Sequence, residues 1–390
     1  MSTIKVNKIE NTATADGGIA IDASGHVTVD GQQLPTAGAL TGRRINLNGA
    51  MQVAQRGTSG TTTSSSAYLS VDRWKCTDGG QGDFTVSQSS TAPDGFANSV
   101  KWDCTTADTS ITDEIYMEQS IEGQDLQQLG YGTSSAKSIT ISFWVRSNLT
   151  GQFGVWLENF DSSRYYTTSG YTINTADTWE HKTITIPGDT GGSGFGDDNG
   201  TGMKFRWHLA LRSSYQGTPS GSWSTSASNR SQSSHVNLAS STANEWYLTG
   251  VQIEVGEKAT PFEHRSYGDE LARCKRYFEL LTNDIGTGTK LSRKLFGPGY
   301  FESSSEAVSY VSFAQKRAAP TVTASGTSHF NMQHTGTSTA ITALSFTQIS
   351  PTDVRADTTT SSAPFSDGDS CFLTSISTSQ LTTISVDAEL

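Results

Sequence analysis

Apolar and polar residues alternate with a period of two along five long segments in the middle of the chain. In the first, ITISFWVRS (139–147), every second residue from Ile139 to Val145 is apolar. FGVWLENF, WEHKTITIPG, MKFRWHLALRS and WYLTGVQIEVG repeat the alternation. Many alternating strands separated by turn-rich stretches are typical of a two-sheet sandwich or jelly roll. We therefore predict one jelly-roll domain over residues 43–265.

Two shorter alternating segments, GIAID and HVTVD, lie near the N-terminus and flank the turn DASG (22–25). Their pairing would place Ile19 and Ile21 opposite two valines. A lone hairpin is marginal in water, so its apolar face needs cover from other chains, from a docking partner or from the next domain. We interpret residues 1–42 as an extended oligomerisation and docking segment that ends in the linker QLPTAGALTG.

One segment, SYGDELARCKRYFELL (266–281), has the apolar period of a helix instead of a strand. Ser266 is a candidate N-cap with Asp269 three residues later, and Asn283 is a candidate end. The apolar positions, spaced at i, i+3, i+7 and i+10, are Leu271, Cys274, Phe278 and Leu281. We predict a connecting helix over residues 266–283.

Alternating segments return after residue 284 as EAVSYVSFAQK, PTVTAS, ITALSFTQI, CFLTSIS and LTTISVDAEL. They predict a smaller β domain over residues 284–390. The predicted fold class is therefore all-β, with a jelly-roll sandwich, one connecting helix, a C-terminal β domain and an extended N-terminal segment.

Two long stretches interrupt the strands of the predicted jelly roll. Residues 188–202 are rich in Gly and Asp, and residues 213–244 contain only a short VNL that could form a strand. Loops longer than about 12–15 residues are uncommon unless they are functional or disordered.

Composition narrows the classes of partner. The chain has 390 residues, a net charge of −11 and only 17% charged residues, so its surface is polar but largely uncharged. The negative balance argues against a nucleic-acid partner. No run approaches 18 apolar residues and the N-terminus lacks the apolar core of a signal peptide, so we expect no membrane insertion. Such a surface suits glycans, and it equally suits an inert virion or cell-surface protein.

Metal sites and cofactors are not expected. Four cysteines, Cys76, Cys104, Cys274 and Cys371, lie far apart without a CxxC pair, which argues against zinc and predicts free thiols, with a Cys76–Cys104 disulfide as the alternative. The acidic loop DDNG (197–200) lacks the spacing of an EF-hand and is interpreted as a flexible loop.

Catalytic motifs are also absent, since the chain has no GxSxG, HExxH or P-loop sequence. A glycosidase would need two carboxylates facing each other about 5–9.5 Å apart. The candidates Asp113, Glu114, Glu118 and Glu122 are interpreted as solvated side chains of a short strand and turn. We predict that the protein is not an enzyme.

The polar face of the predicted sandwich is the more specific candidate site. Aromatic planes stack on sugar rings, and the guanidinium groups of Arg and the carboxylate of Glu form hydrogen bonds with hydroxyl groups. The candidate glycan-binding residues are Trp144, Arg146, Trp156, Glu158, Arg206, His208, Arg212, Tyr215 and Trp223. The alternative is that the tryptophans are buried against a neighbouring subunit or domain, or cap the fold.

Several segments together resemble a bacteriophage tail-protein architecture. NLNGAMQVAQRGTS and YLSVDRW resemble the opening of carbohydrate-binding-module-like jelly rolls in tail fibres, and MEQSIEG with SITISFWVRS resembles their middle. WYLTGVQIEVGEKATPFEHRSYGDELARCKRYF (246–278) is the most specific block. FAQKRAAPTVTAS and ISVDAEL resemble the C-terminal domain that often follows, and STIKVNKIEN with IAIDASGHVTVDG resembles N-terminal segments of marine phage proteins.

This resemblance implies a homotrimeric receptor-binding fibre or spike whose N-terminus points toward the virion. Related carbohydrate-binding modules often hold a structural calcium ion near the first and last strands. The matching positions here are Gln52 and Thr249-Gly250, so no metal is expected.

The leading hypothesis is a phage tail fibre, assembled in the host cytoplasm, that binds other tail proteins through residues 1–42 and a host surface glycan through its β domains. A capsid or tail decoration protein without a ligand is the alternative. An enzyme that depolymerises polysaccharide is a third hypothesis.

Overall fold

A computed structural model describes residues 8–10, 18–21, 27–29, 32–33, 42–64, 66–219, 221–285, 288–362, 365–376 and 378–390. The chain divides into two compact units, Met1–Tyr267 and Gly268–Leu390, and both are built almost entirely of β-strands. Within the described ranges, no helix has the length and apolar character needed to span a membrane.

The N-terminal strands form a small antiparallel sheet in chain order. Its strands are β1 (Lys8–Glu10), β2 (Gly18–Ile21), β3 (Val27–Val29) and β4 (Gln32–Gln33). The predicted hairpin pairing is confirmed, since Ile19 lies opposite Val29 and Ile21 opposite Val27. Ile9 lies opposite Ile19 on the other side of β2. The turn at 22–25 and residues 34–41 of the proposed linker lie outside the described residues.

The rest of the first unit is a sandwich of two antiparallel sheets. The strands of this unit after β4 are β5 (Ser59–Thr61), β6 (Ala67–Tyr68), β7 (Lys75–Thr77), β8 (Asp83–Ser89), β9 (Ser99–Thr106), β10 (Glu114–Glu122), β11 (Ile139–Ser147), β12 (Gly151–Asn159), β13 (Arg164–Thr167), β14 (Tyr171–Ile173), β15 (Glu180–Ile186), β16 (Thr201–Leu211), β17 (Gln216–Gly217), β18 (Ser231–Gln232) and β19 (Glu245–Val255). Sheet I has the order β13-β12-β16-β10-β7-β6, with β14 also paired to β12, and sheet II has the order β15-β11-β19-β9-β8-β5. Strands β17 and β18 form a separate two-stranded parallel ladder.

The apolar faces of the five long segments meet in the core between the two sheets, which confirms the predicted jelly-roll sandwich. Phe143 of sheet II and Trp207 of sheet I are fully buried, with ring centroids 5.8 Å apart in an edge-to-face contact. Trp74 packs on the same indole at 5.5 Å. Aromatic pairs of this geometry add about 0.5–1.5 kcal/mol beyond the area they bury.

Two local predictions in this unit are wrong. The segment around Glu114–Glu122 is not a short strand and turn but a nine-residue strand that is buried along its whole length, because it lies in the interior of sheet I between β16 and β7. The proposed strand VNL is replaced by a 3-10 helix, Leu238–Ser240, in which the N–H of Ala239 donates to the side chain of Asn237. Two further 3-10 helices are Gly123–Leu129 and Ser213–Tyr215.

Helix α1 (Tyr267–Lys275) begins at the last residue of the first unit and continues into the second. The second unit also contains a 3-10 helix (Thr327–His329) and strands β20 (Phe278–Thr282), β21 (Leu295–Phe301), β22 (Glu306–Ser312), β23 (Thr321–Ala324), β24 (Phe330–His334), β25 (Thr337–Thr347), β26 (Asp353–Thr360), β27 (Ser370–Ser375) and β28 (Thr383–Asp387). Six of the strands form a closed barrel of order β21-β22-β26-β25-β24-β27, and three form a sheet of order β20-β28-β23.

The predicted helix is present but ends earlier than expected. Helix α1 stops at Lys275, and the segment from Phe278 onward forms β20 instead of continuing the helix. Strand β20 pairs along its full length with β28, from Phe278 opposite Asp387 to Thr282 opposite Thr383. This ladder satisfies the backbone groups that the extra helical turns would have satisfied, so pairing with a distant strand overrides the local period.

Candidate functional site

The nine candidate residues lie on both faces of the sandwich. Trp144 and Arg146 lie on β11 of sheet II, opposite its buried apolar positions. Trp156 and Glu158 on β12, with Arg206 and His208 on β16, lie on the outer face of sheet I. Arg212, Tyr215 and Trp223 belong to the segment 212–237 that follows β16, which we call the strap.

The outer face of sheet I is closed. Trp156 is only 2% exposed and His208 is fully buried. The indole of Trp156 stacks on the ring of Tyr165, with centroids 5.2 Å apart and planes at 11°. The interpretation of Trp156 and His208 as an exposed binding surface is therefore corrected, because the strap covers the face on which they lie.

Arg206 is the centre of a partly buried ionic network on this face. Its guanidinium donates to Glu118 and lies 3.5 Å from Glu114. It also lies over the ring of Trp156, at 5.0 Å from the centroid. Glu158 completes the network at 3.6 Å from the ammonium of Lys204. Arg206 and Glu158 are thus bound by protein groups.

Of the four carboxylates interpreted as solvated, Asp113 is exposed as predicted, whereas the three on β10 are buried. Glu114 is 7% exposed, Glu118 3% and Glu122 0%, because β10 lies in the interior of sheet I. Burial alone would raise the pKa of Glu114, but a hydrogen bond from His208 and the charges of Arg206 and Arg230 hold it well below its usual range. Glu114 is therefore ionised at neutral pH, which is not the state that a general acid requires.

The strap is fixed to sheet I at several points. Arg230 donates from Nη1 to Oε1 of Glu114 at 2.6 Å and lies over the ring of Tyr215 at 4.1 Å. The backbone groups of Ser224 and Tyr165 exchange two hydrogen bonds of 2.9 and 2.7 Å. Arg212 also lies over Tyr215, at 4.8 Å. Tyr215 is thus held between two guanidinium groups.

A histidine ring joins the strap to β12. His235 Nδ1 donates to the carbonyl of Val236 at 2.6 Å, and its Nε2 accepts the N–H of Gly154 at 2.9 Å. This arrangement requires a neutral ring, because a proton on Nε2 would face the N–H of Gly154. Burial lowers the pKa of His235 to about 4 and also lowers the pKa of His208.

Two further candidates, Trp223 and Arg146, also contact other protein groups. Trp223 packs on Tyr131 with centroids 5.6 Å apart, and its indole N–H donates to the carbonyl of Pro187 at 2.8 Å. Arg146 pairs with Asp177 at 2.8 Å and lies over the ring of Tyr247. Trp223 therefore caps the fold, and Arg146 is part of a surface ion pair.

Trp144 is different, because it lines an open groove on the outer face of sheet II. The groove has a volume of about 410 Å³ and is lined by Ser142, Trp144, His181, Gly250, Ala259, Thr260, Pro261 and Phe262. Trp144 and His181 are directly opposite in the pairing of β11 with β15, and their ring centroids are 5.2 Å apart. They form two adjacent aromatic surfaces.

Gly250 allows the groove to form. It has a φ of +61°, and an added Cβ would lie 2.7 Å from Phe96 and 3.0 Å from Trp144. A larger residue would thus be strained in its backbone and would push the two rings apart. Glycine at this position therefore leaves room for both rings.

The far wall of the groove is held in place by contacts to sheet II. The hydroxyl of Thr260 donates to Glu254 at 2.6 Å, and Phe262 packs edge-on against Phe96 with centroids 5.0 Å apart. Arg44 lies over the ring of Phe262. The sequence reasoning missed His181, Thr260 and Phe262, although His181 lies in an alternating strand and Pro261-Phe262 falls in the most specific block of the resemblance.

None of the lining side chains carries a charge at neutral pH. The one titratable ring, His181, has a pKa lowered by burial, so it is neutral. The groove therefore combines aromatic planes with hydroxyl groups and lacks a fixed charge, which suits an uncharged ligand with apolar faces and polar edges.

The places considered for calcium are occupied by protein contacts. The side chain of Thr249 donates to the carbonyl of Asn98 at 2.7 Å, and the carbonyl of Gln52 accepts from Gln88 at 2.9 Å. Within the described part of the chain, no three His, Cys, Asp or Glu side chains form a metal-binding group. All four cysteines are buried and free, as predicted.

Comparisons with known proteins return structural similarities only. No family model and no curated protein matches the chain. A putative sugar-binding protein from Bacteroides thetaiotaomicron is 10% identical, with a TM-score of 0.31 over 55% of this chain and 100% of that one. The CBM22-1 xylan-binding domain of Paenibacillus barcinonensis Xyn10C is 10% identical, with a TM-score of 0.27 over 53% and 100%.

The enzymatically active domain of tailspike protein 4 from bacteriophage CBA120 is 11% identical, with a TM-score of 0.29. The match covers 55% of this chain but spans only 21% of the tailspike chain. Similarities of this size do not assign a ligand or a place of action.

Proposed function

We propose that the protein is a non-catalytic glycan-binding protein of a phage virion, a trimeric tail fibre or spike, and that the Trp144 groove is its binding site. The observation that best supports this proposal is the groove itself, where Trp144, His181 and Phe262 surround an uncharged cleft of about 410 Å³. Sugar rings present C–H faces that pack on aromatic planes, and their hydroxyls can bond to Ser and Thr side chains. The resemblance of the chain to phage tail fibres supports the virion assignment.

Binding by one groove is expected to be weak, because one or two sugar rings bury little surface. Three copies in a fibre, and several fibres on a particle, would convert weak sites into firm adsorption. A trimer and attachment through residues 1–42 thus belong to the same proposal.

The test compares two tryptophans on the same side of sheet II. Trp144→Ala is expected to lower glycan-array binding by at least about tenfold, because it removes one stacking plane. Trp179→Ala is the matched control, since Trp179 is partly buried beside Tyr247 and does not line the groove. It should leave binding unchanged.

Three outcomes would contradict the proposal. Equal binding by the two variants would remove the groove from the site. A wild-type chain that binds no glycan would favour the decoration protein, and reducing-sugar release from host polysaccharide would favour an enzyme. Antibody labelling of virions in electron micrographs tests the location separately.

A further inference from the structure

A second pocket lies within the second unit, Gly268–Leu390, which we call unit 2, and it differs from the Trp144 groove. Its volume is about 320 Å³, close to the lower end of the range of about 300–1,000 Å³ for small-molecule sites. It is lined by Lys275 at the end of α1, by β20 from Glu279 to Thr282, by Lys294, Leu295 and Phe296 at the start of β21, and by Ser312. Its size suits a single ring better than a chain of sugars.

The one carboxylate in the pocket is already neutralised. Oε1 of Glu279 lies 3.0 Å from the ammonium of Lys275, and Oε2 lies 3.1 Å from the ammonium of Lys316. Oε2 also accepts the N–H of Ala314 at 2.8 Å. Lys316 is 1% exposed, so this pair is part of the structure and does not compete for a ligand.

Lys294, in contrast, has an exposed side chain that makes no ion pair with any residue the structure describes. Its backbone N–H donates to the hydroxyl of Ser375 at 2.9 Å, which fixes the position from which the side chain extends. The ammonium of Lys294, beside a carboxylate that is already neutralised, can form a charge-assisted hydrogen bond with an anion. The net charge of −11 of the chain opposes anions at long range, so this attraction is local to the pocket.

The remaining wall of the pocket combines apolar and hydroxyl groups. Leu281, Leu295 and Phe296 supply an apolar surface, and Leu295 is 49% exposed. Thr282 and Ser312 supply hydroxyls. A ligand that matches the ammonium of Lys294, this apolar surface and these hydroxyls carries an acidic group, an apolar face and hydroxyl groups on one ring.

We propose that this pocket binds an acidic monosaccharide unit, such as a hexuronic acid, with Lys294 pairing with its carboxylate and Leu281 and Leu295 contacting its ring. The site shares no lining residue with the Trp144 groove.

The test uses the full-length chain and titrates glucuronic acid, with glucose and hexanoate as comparison probes, by ligand-observed NMR at low salt. Glucuronate should bind more tightly than either probe. Lys294→Gln should weaken it about tenfold, the expected loss for one charge-assisted contact. Leu295→Glu, which places a carboxylate in the pocket, should abolish binding. Both positions are exposed, so unchanged melting curves are expected.

Lys137→Gln, at an exposed lysine of the first unit, is the matched control and should have no effect. Equal effects of the two lysine variants, or glucose binding as tightly as glucuronate, would overturn the proposal. Hexanoate binding as tightly as glucuronate would show an apolar acid site and overturn the saccharide assignment. Trp144→Ala should not change glucuronate binding, so failure of this site and failure of the Trp144 groove are distinguishable.

Discussion

Trp156 is buried because a segment distant in sequence covers it. The indole lies between the ring of Tyr165 on the neighbouring strand and the guanidinium groups of Arg206 and Arg230, the second of which comes from the strap. It is among the largest fully buried side chains of the chain. Its role is therefore to join the strap to sheet I.

Trp156→Ala should lower the free energy of unfolding by about 3–5 kcal/mol, the usual cost of truncating a large buried aromatic residue. Trp144→Ala should cost much less, since one side of its ring faces an open groove. Urea unfolding followed by circular dichroism measures both. Equal and small costs for the two variants would mean that the strap does not cover Trp156 in solution.

The comparison of these two residues shows how far the sequence determines a site. Period-two alternation correctly predicts that both tryptophans lie opposite the core faces of their strands. Whether an outer face is open depends on what covers it. The cover of Trp156 includes Arg230, which lies in a stretch without apolar periodicity, so no local pattern indicates it. The same holds for Glu114, whose burial follows from the position of β10 inside sheet I.

At the scale of elements, the strap is attached both by apolar contacts of Trp223 and Val236 with the core and by charged and titratable groups. Its contacts to sheet I include the Arg230–Glu114 pair and the hydrogen bond from Gly154 to His235. The groups that face His208 include Glu114, Arg206, Arg230 and the rings of His235, Tyr116 and Trp156. Attachment through such groups should depend on pH.

Acidification is expected to destabilise the strap. The folded-state pKa values of His208 and His235 lie below the unfolded value of about 6.5, so the folded state prefers the neutral rings. Their contribution is complete above that value and is lost as the pH falls toward about 4, the folded pKa of His235. Between pH 7.5 and 5.5 we expect His235 to lose about 1 kcal/mol of stabilisation, and His208 to add a loss of the same sign.

His235→Gln should reduce this pH dependence, because a Gln amide does not titrate. His264→Gln is the control, since His264 is exposed and lies beside Phe262, away from the strap. Urea midpoints measured at several pH values provide the test. A midpoint that is constant from pH 7.5 to 5.5 would show that neither histidine has to be neutral in the folded state.

In the second unit, three segments that carry the resemblance contact one another, although they are far apart in the sequence. They are LARCKRYF, FAQKRAAP and ISVDAEL. Lys316 bonds to Glu279 and to the carbonyl of Lys275, while Arg317 donates to the carbonyl of Ala388 at 2.6 Å. These contacts join α1, the loop after β22 and the C-terminal strand.

The strands that sequence analysis did not predict have physical reasons for being missed. Strand β21 contains Gly297-Pro298-Gly299, a composition typical of a turn. Gly299 is required there, because an added Cβ would lie 1.8 Å from the carbonyl oxygen of Val308 on the neighbouring strand. Strand β26 places threonines at inward positions, so its alternation is hidden in a polar composition.

At the scale of the whole molecule, the sequence predicts the all-β fold class. It does not predict which outer sheet faces are covered by other segments or by other chains. Period-two patterns recur throughout the chain, and they are sufficient for an all-β architecture. The assembly state depends on surfaces that a single chain leaves open. The N-terminal sheet has such a surface, since Ile9, Ile19 and Ile21 are 58%, 43% and 44% exposed.

This exposed face supports the prediction that the full chain is a trimer. Ile9 and Ile19 are directly paired and Ile21 lies two residues along the same strand, so all three lie on one face of a four-stranded sheet. A sheet of this size is marginally stable alone, and burial against other copies would remove its apolar side chains from water. Sedimentation of the purified chain at micromolar concentration should give three times the monomer mass.

Replacing Ile9, Ile19 and Ile21 together by Ser should convert the trimer to a monomer while the jelly-roll core, which uses none of these residues, stays folded. Ile285→Ser is the control, because Ile285 is 53% exposed in unit 2 and should not affect assembly. Virions carrying the triple variant should also adsorb more weakly, since three-fold presentation of the Trp144 groove is lost. A wild-type chain that sediments as a monomer would refute the trimer, and a triple variant that stays trimeric would place the contact elsewhere in the chain.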